Sequence, residues 1–325
     1  MPEILVAGET LVDFIPDSGG TVRDVDGYAH RPGGAPANVA AGLARLGTPP
    51  VFWTRLSEDP FGEFLRHTLR EESIPPDYIQ QLSVGNTTLA VVSPPAADDR
   101  RFRFYGDGDV TFGFDPAAVP TDALVDCSWV HLGGVALTHP RGREAMCALA
   151  TAAAERDCTV SFDVNYRPDL IRAEEHELVR EALHTIVAES DVVFCSDEDM
   201  DGTGLSSQSG AELAHDLLRR GPHTAVVTLG GAGALASSTA DAPWGATDAT
   251  HPGFSVPVRD TTGAGDAFTA GLIRRLAPAQ TQASLDAALA FANATAAESV
   301  QKRGGISSLP TTEAVEERIA RDETA

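Results

Sequence analysis

The stretch DTTGAGDAFTAG, residues 260–271, joins a glycine-rich turn to an alanine-rich run with helical spacing. The first backbone N–H groups of a helix have no partners within it, and the helix dipole makes that end positive. The turn at Gly263, Ala264 and Gly265 therefore predicts a binding site for an anion, particularly a phosphate. Asp266 follows in the first helical turn, where a carboxylate can accept a proton from a substrate hydroxyl. For this stretch alone, an ordinary glycine turn whose aspartate complements the helix dipole is the alternative.

A second glycine-rich stretch, RPGGAPANVAAGLARLG, occupies residues 31–47. Pro36 stands at a first helical position, where its missing N–H costs nothing, and Gly47 is typical of the residue after a helix. The apolar residues that share one face of the intervening helix are Val39, Leu43 and Leu46. The stretch predicts a helix with one buried face that follows a glycine turn.

Strands and helices alternate along most of the chain. Strands are predicted at residues 4–7, 51–56, 129–132, 159–163, 192–195 and 224–229. Helices are predicted at residues 61–69, 141–155, 174–188, 211–219, 263–276 and 282–300. Such alternation is typical of an α/β fold whose mainly parallel sheet is covered on both faces. Polar turns are predicted from the end of the first strand to residue 30, and an exposed hairpin or loop at residues 237–250.

Between residues 87 and 114 the hydrophobic pattern changes to a period of two, which is typical of strands. In the run RFRFY, residues 101–105, the arginines face one side and the phenylalanines face the other. This pattern predicts an antiparallel hairpin in a second, smaller sheet. We expect about residues 10–32 and 86–114 to form a lid around that sheet.

The chain of 325 residues is strongly acidic, with a formal net charge of −23. It has 47 acidic and 24 basic residues, and Lys302 is the single lysine. The acids are dispersed, so their mutual repulsion acts over the whole surface and is relieved where salt screens it. This composition predicts adaptation to high salt. It also argues against a nucleic-acid partner, because the phosphate backbone would meet a negative surface.

The chain contains no run near the ~20 consecutive apolar residues that a membrane-spanning helix needs, so no membrane partner is expected. The N-terminal run MPEILVAGET lacks basic residues and a cleavage site, and it predicts a strand rather than a signal peptide. The cysteines lie far apart without a CxxC pair, which favours buried thiols over disulfides or a zinc site. They are Cys127, Cys147, Cys158 and Cys195. We expect a cytoplasmic protein.

The stretch at residues 260–271 resembles the C-terminal signature of the ribokinase (PfkB) family of carbohydrate kinases, and residues 31–47 resemble its N-terminal signature. The stretches FDVNYRPDL, CSDEDM and VTLGGAGAL resemble segments that lie between these signatures. The resemblance covers nearly the whole chain. It implies one ribokinase-like domain, residues 1–325, with three layers and a small β-sheet lid. It also implies transfer of phosphate from ATP, with Mg²⁺, to a sugar hydroxyl, and leaves a K⁺ requirement open.

The resemblance implies roles for individual residues. Asp266 is the implied base, the turn Gly263, Ala264 and Gly265 is the implied anion hole, and Arg167 lies near the transferred phosphate. The residues implied to bind the sugar are Asp13, Gly33, Gly34, Asn38, Arg103, Tyr105 and Asn165. Those implied to bind the nucleotide are Ser196, Thr228, Gly230, Gly233 and Asn293. The family's Asn-x-x-Glu motif is SDED here, so Asp199 is the candidate for the Mg²⁺ network, with Glu198 as the alternative.

Several functions compete at this point. Fructose is the preferred acceptor, and 2-keto-3-deoxygluconate is the main alternative, with nucleosides behind both. Kinases of the acid sugar commonly carry an arginine after a Tyr-Tyr pair in the lid, whereas here Gly106 follows Phe104 and Tyr105. A dinucleotide-dependent oxidoreductase matches the run LGGAGALA only loosely, and a non-catalytic sugar- or nucleotide-binding protein would be expected to lack the base. The exposed lid sheet is compatible with a homodimer.

Overall fold

The computed structural model describes residues 4–93, 102–106, 108–277 and 284–322. The strands in these ranges are β1 (Ile4–Ala7), β2 (Leu11–Pro16), β3 (Tyr28–Gly33), β4 (Val51–Ser57), β5 (Ile79–Leu82), β6 (Leu89–Val92), β7 (Phe102–Tyr105), β8 (Trp129–Gly133), β9 (Thr159–Asp163), β10 (Val192–Ser196), β11 (Thr224–Thr228), β12 (Ala234–Ser238) and β13 (Thr247–His251). The helices are α1 (Ala35–Arg45), α2 (Pro60–Glu71), α3 (Gly108–Thr111), α4 (Pro140–Ala154), α5 (His176–Glu189), α6 (Gly210–Leu218), α7 (Ala264–Leu276), α8 (Leu285–Ser299) and α9 (Thr312–Asp322).

The main sheet of the described chain has the strand order β13-β12-β11-β10-β9-β8-β1-β4-β5. Pairing is parallel from β5 to β11 and antiparallel where β12 and β13 are added at one edge. β1 is apolar throughout, β8 is apolar except for His131, and both are fully buried, as expected for parallel strands covered on both faces. Because the parallel strands end at one edge, the loops that follow them meet there.

Helices cover both faces of this sheet. On one face α1, α2, α7, α8 and α9 contribute buried apolar side chains to a single core, which includes Leu43, Leu65 and Ile273. On the other face α4, α5 and α6 form a second core, which includes Leu149 and Leu183. Complete burial of one such leucine favours folding by about 1.5–3 kcal/mol. The predicted three-layer α/β fold is confirmed.

The second sheet has the strand order β3-β2-β6-β7. β2 pairs antiparallel with β3 and parallel with β6, and β6 pairs antiparallel with β7. Phe102 and Phe104 are partly buried, whereas Arg103 and Tyr105 are exposed, so the predicted two-residue alternation is confirmed. Residues 94–101 of the predicted hairpin, Arg101 among them, lie outside the described residues.

One local prediction was wrong. The stretch after β1 forms β2 and β3 rather than polar turns, because pairing with each other and with β6 gives both strands backbone partners. Polar composition suggested turns there, and tertiary pairing overrides that local preference. The predicted hairpin at residues 237–250 is confirmed, because β12 and β13 pair antiparallel; it extends the main sheet, and Ser237 and Ser238 are buried rather than exposed.

The described helices include none that combines the length and the apolar character needed to cross a membrane. All four cysteines carry free thiols, as the sequence predicts. Cys158 and Cys195 are buried, and burial raises the pKa of each of these thiols.

Candidate active site

Asp266 and Asn38 meet where α7 packs against α1. The two helices approach closely because Gly42 of α1 lacks a side chain: a Cβ atom there would lie 2.7 Å from the Cβ atom of Ala270. The first turns of both helices are thereby brought together, and Asn38 Nδ2 donates a hydrogen bond to Asp266 Oδ2 at 2.7 Å. This bond orients the carboxylate at the start of α7.

The turn before α7 exposes backbone amides. Gly263 has a φ of +75°, in the left-handed region that favours glycine. A Cβ atom on Gly263 would lie 3.0 Å from Gly305 Cα, so close packing also leaves no space for a side chain. A Cβ atom on Gly265 would meet nothing within 4 Å, so the volume beside the helix start is open. This open helix N-terminus is the arrangement that binds a phosphate.

Asp260 stabilises the same turn. Its Oδ1 accepts hydrogen bonds from Thr262 N at 3.1 Å and from Thr262 Oγ1 at 2.8 Å. Its Oδ2 accepts a hydrogen bond from Gly304 N at 3.0 Å. The carboxylate thus joins the turn before α7 to the loop after α8. We predicted no role for Asp260 from the sequence, although it is the first residue of the glycine-rich stretch.

The pKa of Asp266 is raised to about 6. Burial is the main cause, and the nearby charge of Asp199 adds to it, whereas the Asn38 hydrogen bond and Arg167 oppose it. A carboxyl group with this pKa is largely ionised at neutral pH yet holds a proton more tightly than an ordinary aspartate. These are the properties of an effective general base.

Two further carboxyl groups lie near Asp266. Burial raises the pKa of Asp13 to about 7, and the charge of Asp266 adds to the effect. Burial also raises the pKa of Asp163, at the end of β9, well above its usual range, with the charges of Asp199 and Asp266 in the same direction. A carboxyl group with a pKa of about 7, such as that of Asp13, can both donate and accept hydrogen bonds to hydroxyl groups at neutral pH.

Arg167 supplies positive charge among these acids. Its Nη1 donates to Asp199 Oδ1 at 3.1 Å and to Tyr166 O at 3.1 Å. Asp199 Oδ2 accepts hydrogen bonds from Ser196 N at 3.0 Å and from Ser196 Oγ at 2.7 Å, so both oxygens of Asp199 are engaged. Glu198 is exposed. The structure brings Asp199, rather than Glu198, to Arg167.

Of the residues implied to bind the sugar, Gly33 packs closely against Asp13. A Cβ atom on Gly33 would lie 2.1 Å from Asp13 Oδ2, so the carboxylate occupies the space of the missing side chain. Gly34 has a φ of +102° and adjoins the backbone of Glu9. Asn165 has a φ of +32°, and its Oδ1 is buried without a hydrogen-bond partner among the described residues. A strained asparagine with a free acceptor is typical of a ligand site.

A cavity of about 550 Å³ lies between the second sheet and the start of α4. Tyr105, Phe104 and Gly106 line it from the sheet side, and Leu170 and Arg172 line it from the segment after Arg167. Tyr105 is thus one of the cavity-lining residues. Arg103 is exposed on β7 and does not line the cavity.

Gly106 leaves no space for the arginine that is expected in kinases of the acid sugar. Its φ is +122°, and a Cβ atom would lie 2.7 Å from Thr87 O and 3.0 Å from Thr88 Cα. Within the described ranges the arginine that lines this cavity is Arg172, for which we predicted no role from the sequence.

The loop between β11 and β12 contains glycines of two kinds. Gly230 has a φ of +57°, and a Cβ atom on it or on Gly231 would meet nothing within 4 Å. This part of the loop presents backbone to open space, as a nucleotide site requires. Gly233 has a φ of +88°, and a Cβ atom there would lie 2.0 Å from His251 O. Close packing against β13 therefore explains why residue 233 is a glycine.

The other residues on the predicted nucleotide side have partners within the protein. Thr228 Oγ1 donates to Cys195 O at 3.4 Å. Asn293 is buried in α8, where its Nδ2 donates to Leu289 O at 2.8 Å. Its amide nitrogen is thus engaged by its own helix.

Glu9 is the other acid that the sequence-based prediction missed. It follows β1, is 2% exposed, and lies near Asp163 and Asp266. A signal was available, because Glu9 and Asp163 both stand at the carboxyl ends of predicted parallel strands, where α/β sheets bind ligands. The burial of Glu9, however, is a tertiary property that no local pattern shows.

Comparison with known proteins identifies the family. The sequence profile of the pfkB family of carbohydrate kinases matches residues 1–312. The chain belongs to this family. It is 32% identical over 311 residues to the fructokinase of Klebsiella pneumoniae. The match covers 95% of this chain and 96% of that protein. The predicted enzyme class, a sugar kinase, is confirmed for this pfkB kinase.

Solved structures agree with this assignment. The crystal structure of fructokinase with bound ATP from Xylella fastidiosa superposes with a TM-score of 0.87 at 25% identity and covers 100% of both chains. The fructokinase of Vibrio cholerae O395, in a form with fructose, ADP and calcium ion bound, superposes with a TM-score of 0.84 at 29% identity. That match covers 97% of the pfkB kinase chain and 98% of the Vibrio chain.

Proposed function

We propose that this pfkB kinase transfers the γ-phosphate of ATP to a hydroxyl group of fructose, with Asp266 as the general base. The supporting observation is the Asp266 carboxylate, which Asn38 orients at 2.7 Å beside the open turn at Gly265. The similarity to fructokinases from Klebsiella pneumoniae and Vibrio cholerae supports fructose as the acceptor.

In the proposed reaction the sugar oxygen attacks the γ-phosphorus while its proton passes to Asp266. A new P–O bond forms, the bond from the γ-phosphorus to the β,γ-bridging oxygen breaks, and ADP leaves with that electron pair. The amides of Gly263 and Gly265, together with Arg167, stabilise the charge on the transferring group. The third amide of the predicted anion hole, that of Ala264, donates to Thr261 O at 3.2 Å and closes the turn. Holding both reactants at one helix start also removes the entropic cost of bringing them together.

Mg²⁺, which accompanies ATP in kinases, neutralises phosphate charge when it is bound. The donor set fits an indirect role for Asp199, because both its oxygens already accept hydrogen bonds from Arg167 and Ser196. We therefore assign Asp199 to the hydrogen bonds around the water ligands of the metal. On this assignment Arg167 and Ser196 keep the Asp199 carboxylate in place.

The sugar is proposed to bind between the second sheet and the main sheet, within one domain spanning residues 1–325. Asp13 and Asn165 offer hydrogen-bonding groups to sugar hydroxyls, and Tyr105 lines the cavity next to the second sheet. The second sheet then acts as a lid that excludes water during transfer. Because β7 is its edge strand, pairing of this edge with a second copy is the proposed route to a homodimer.

The function is tested by an ATP-consumption assay with fructose, 2-keto-3-deoxygluconate, ribose and nucleosides. We expect the highest kcat/KM for fructose. Gly106 leaves no space for a cationic side chain at that position of the lid, so a carboxylate bound against the lid would keep much of its desolvation cost. Specificity is the ratio of kcat/KM values measured at the same salt concentration.

A higher kcat/KM for the acid sugar would contradict this choice of substrate. In that case Arg172→Met and Arg103→Ala identify the responsible cation, because Arg172 lines the cavity and Arg103 does not. Absence of phosphorylation of every sugar, with Asp266 intact, would instead contradict the proposed activity.

The pH dependence of kcat/KM for fructose should show an acidic limb with a pKa of about 6. Asp266 accepts a proton only when it is ionised, so activity rises with pH through this pKa and levels off above it. Initial rates between about pH 5 and 8 at one ionic strength measure the limb.

Asp13→Asn serves as the control for this limb, because Asp13 titrates nearby with a pKa of about 7. The limb near pH 6 should persist in Asp13→Asn, whatever that variant does to KM. If the acidic limb disappeared in Asp13→Asn, the limb would belong to Asp13. It would then no longer support Asp266 as the base.

Thermal stability should rise when KCl increases from about 0.1 M to molar concentrations, because screening relieves the repulsion within a net charge of −23. The measurement is Tm by scanning calorimetry, with sucrose of equal osmolality as a control that does not screen charge. A Tm that stays flat or falls in KCl would contradict adaptation to high salt. We further propose the cytoplasm of a salt-adapted cell as its location.

A further inference from the structure

The end of β4 and the turn before α2 (residues 54–59) contact both segments that lead from the main sheet into the second sheet. Thr54 Oγ1 and Thr10 Oγ1 share a hydrogen bond at 2.8 Å, just before β2 begins. Ser57 Oγ donates to Gly85 O at 2.9 Å, in the segment between β5 and β6. These contacts connect the base of the proposed lid to β4 of the main sheet.

Asp59 connects the same turn to the start of β6. Its Oδ2 accepts a hydrogen bond from Thr87 N at 2.7 Å, and its Oδ1 accepts one from Thr87 Oγ1 at 2.7 Å. Oδ1 also accepts a hydrogen bond from Gly62 N at 2.7 Å, so the same carboxylate is the N-cap of α2. A Cβ atom on Gly62 would overlap Ser57 O, so the first turn of α2 packs closely on the end of β4 and keeps Asp59 in place.

Thr87 and Thr88 stand where the chain enters the second sheet. Residues 83–86 are exposed, whereas Thr87 is 4% exposed and Thr88 is 2% exposed. Thr88 O accepts a hydrogen bond from Val12 N of β2 at 3.1 Å. Gly106, which follows β7, packs so closely on this segment that a Cβ atom there would lie 2.7 Å from Thr87 O. The short segment that Asp59 holds therefore contacts both β2 and the residue after β7.

β6 lies between the two strands that carry proposed sugar-binding residues. Ala90 of β6 is the register partner of Asp13 on β2, and Leu89 is the register partner of Tyr105 on β7. Thr88 and Tyr105 both line the cavity of about 550 Å³. A displacement of the start of β6 would move both neighbouring strands, because backbone hydrogen bonds couple the strands of a sheet.

We propose that Asp59 is a positioning residue for sugar binding: by holding Thr87 it fixes the start of β6, and through β6 the strands that carry Asp13 and Tyr105. The proposal rests on the proposed function, in which the second sheet covers the sugar. Asp59 itself contacts neither the sugar nor ATP in this scheme. The loop proposed to bind the nucleotide follows β11, and β10, β9, β8 and β1 lie between β11 and β4 in the main sheet. Loss of the contact should therefore weaken binding of the sugar and not that of ATP.

The two roles of Asp59 can be separated by substitution. Serine is as good an N-cap as aspartate, because its hydroxyl oxygen accepts a hydrogen bond from the same helix amide. Its shorter side chain has one oxygen, which does not replace the second carboxylate oxygen that accepts from Thr87 N. Asp59→Ser therefore retains the cap of α2 and removes the contact with Thr87, whereas Asp59→Ala removes both.

The test compares KM for fructose with KM for ATP in Asp59→Ser, Asp59→Ala, Thr87→Val and the double variant of the last two. We expect both Asp59 variants to raise KM for fructose by roughly 10-fold, the effect of losing two hydrogen bonds of ordinary strength, with KM for ATP little changed. Asp59→Ala should lower Tm more than Asp59→Ser does, because it also loses the helix cap. Thr87→Val removes one of the two bonds and should raise KM for fructose less. In the Asp59→Ala background it should cost almost nothing further, because its partner is already gone.

Hydrogen exchange tests the contact itself without reference to catalysis. In Asp59→Ser the amides of β6 should exchange faster than in the wild type, because the start of the strand has lost its partner, while those of β1 should not change. Unchanged exchange in β6 would overturn the anchoring role of Asp59. If the exchange became faster but the wild-type protein phosphorylated no sugar, the proposed function would fail and the anchoring of β6 would stand.

Ser284→Ala is the matched control, since Ser284 caps α8 through the N–H of Ala287. It should lower Tm and leave KM for fructose unchanged. A folded Asp59→Ser with the wild-type KM for fructose would overturn the proposal, as would a KM for ATP that rises equally. Effects of Asp59→Ala and Thr87→Val that multiply would also contradict it. If neither Asp59 variant folds, Thr87→Val decides, because an unchanged KM for fructose in that variant would refute the role of the contact.

Discussion

Replacement of Asp266 by asparagine is expected to lower kcat for fructose phosphorylation by about 10²–10⁴-fold. Asparagine keeps the size of the side chain and its place beside Asn38, but it cannot accept the proton of the sugar hydroxyl. Binding of ATP should largely survive, because the open amides at Gly265 and Gly230 are backbone groups. Steady-state kinetics with fructose and calorimetric titration with ATP measure the two effects separately.

Asp286→Asn is the matched control for this substitution. Asp286 is an exposed aspartate in the first turn of α8. Like Asp266 it lies at the positive end of a helix dipole, but it is not part of the proposed active site. The control should change Tm slightly and leave kcat unchanged. If Asp266→Asn kept near wild-type turnover across the pH range, Asp266 would not be the base.

Replacement of Arg167 by methionine should lower kcat by about 10²–10³-fold, the cost of removing one transition-state donor. The guanidinium group is the positive charge among Asp163, Asp199 and Asp266, and its loss leaves the transferring phosphate facing carboxylates. Asp199 also loses its hydrogen bond from Arg167 at 3.1 Å. We expect kcat to fall more than KM for ATP changes.

Arg66→Met controls for the loss of an arginine elsewhere on this acidic protein. Arg66 lies on α2, where it pairs with Glu63 at the surface. It should leave kcat unaltered, and Arg167→Lys should recover only part of the lost rate, because lysine lacks the planar fork of donors. An Arg167→Met enzyme with wild-type kcat would show that Arg167 has only a structural role beside Asp199.

The main sheet could be predicted from the sequence because its parallel strands are continuous apolar runs. β1, β8 and β10 are buried on both faces, so each is recognisable without knowledge of its neighbours. The second sheet was only half predicted. β7 alternates clearly, but β3 has the sequence YAHRPG, whose proline and glycine are typical of a turn. Its strand character comes from pairing with β2, and local sequence does not encode that partner.

The predictability of the candidate site has a similar limit. Asp266 and Asn38 stand in recognisable motifs, and the structure brings them together. Asp260 was missed because its carboxylate accepts a hydrogen bond from an amide 44 positions away, and Glu9 was missed because its burial depends on elements that are distant in sequence. Arg103 was chosen from the lid pattern, yet the alternation that identifies β7 also directs its side chain to solvent.

The hydrogen bond between Asn38 and Asp266 joins residues 228 positions apart in the sequence. During translation α1 emerges from the ribosome early and α7 emerges late. For most of its synthesis the nascent chain therefore contains Asn38 without Asp266. The early part contains much of the proposed sugar pocket, but it has neither the base nor the phosphate-binding turn. Under the proposed mechanism an unfinished or C-terminally truncated chain therefore consumes no ATP, and catalysis begins only when the last third of the polypeptide docks onto the first.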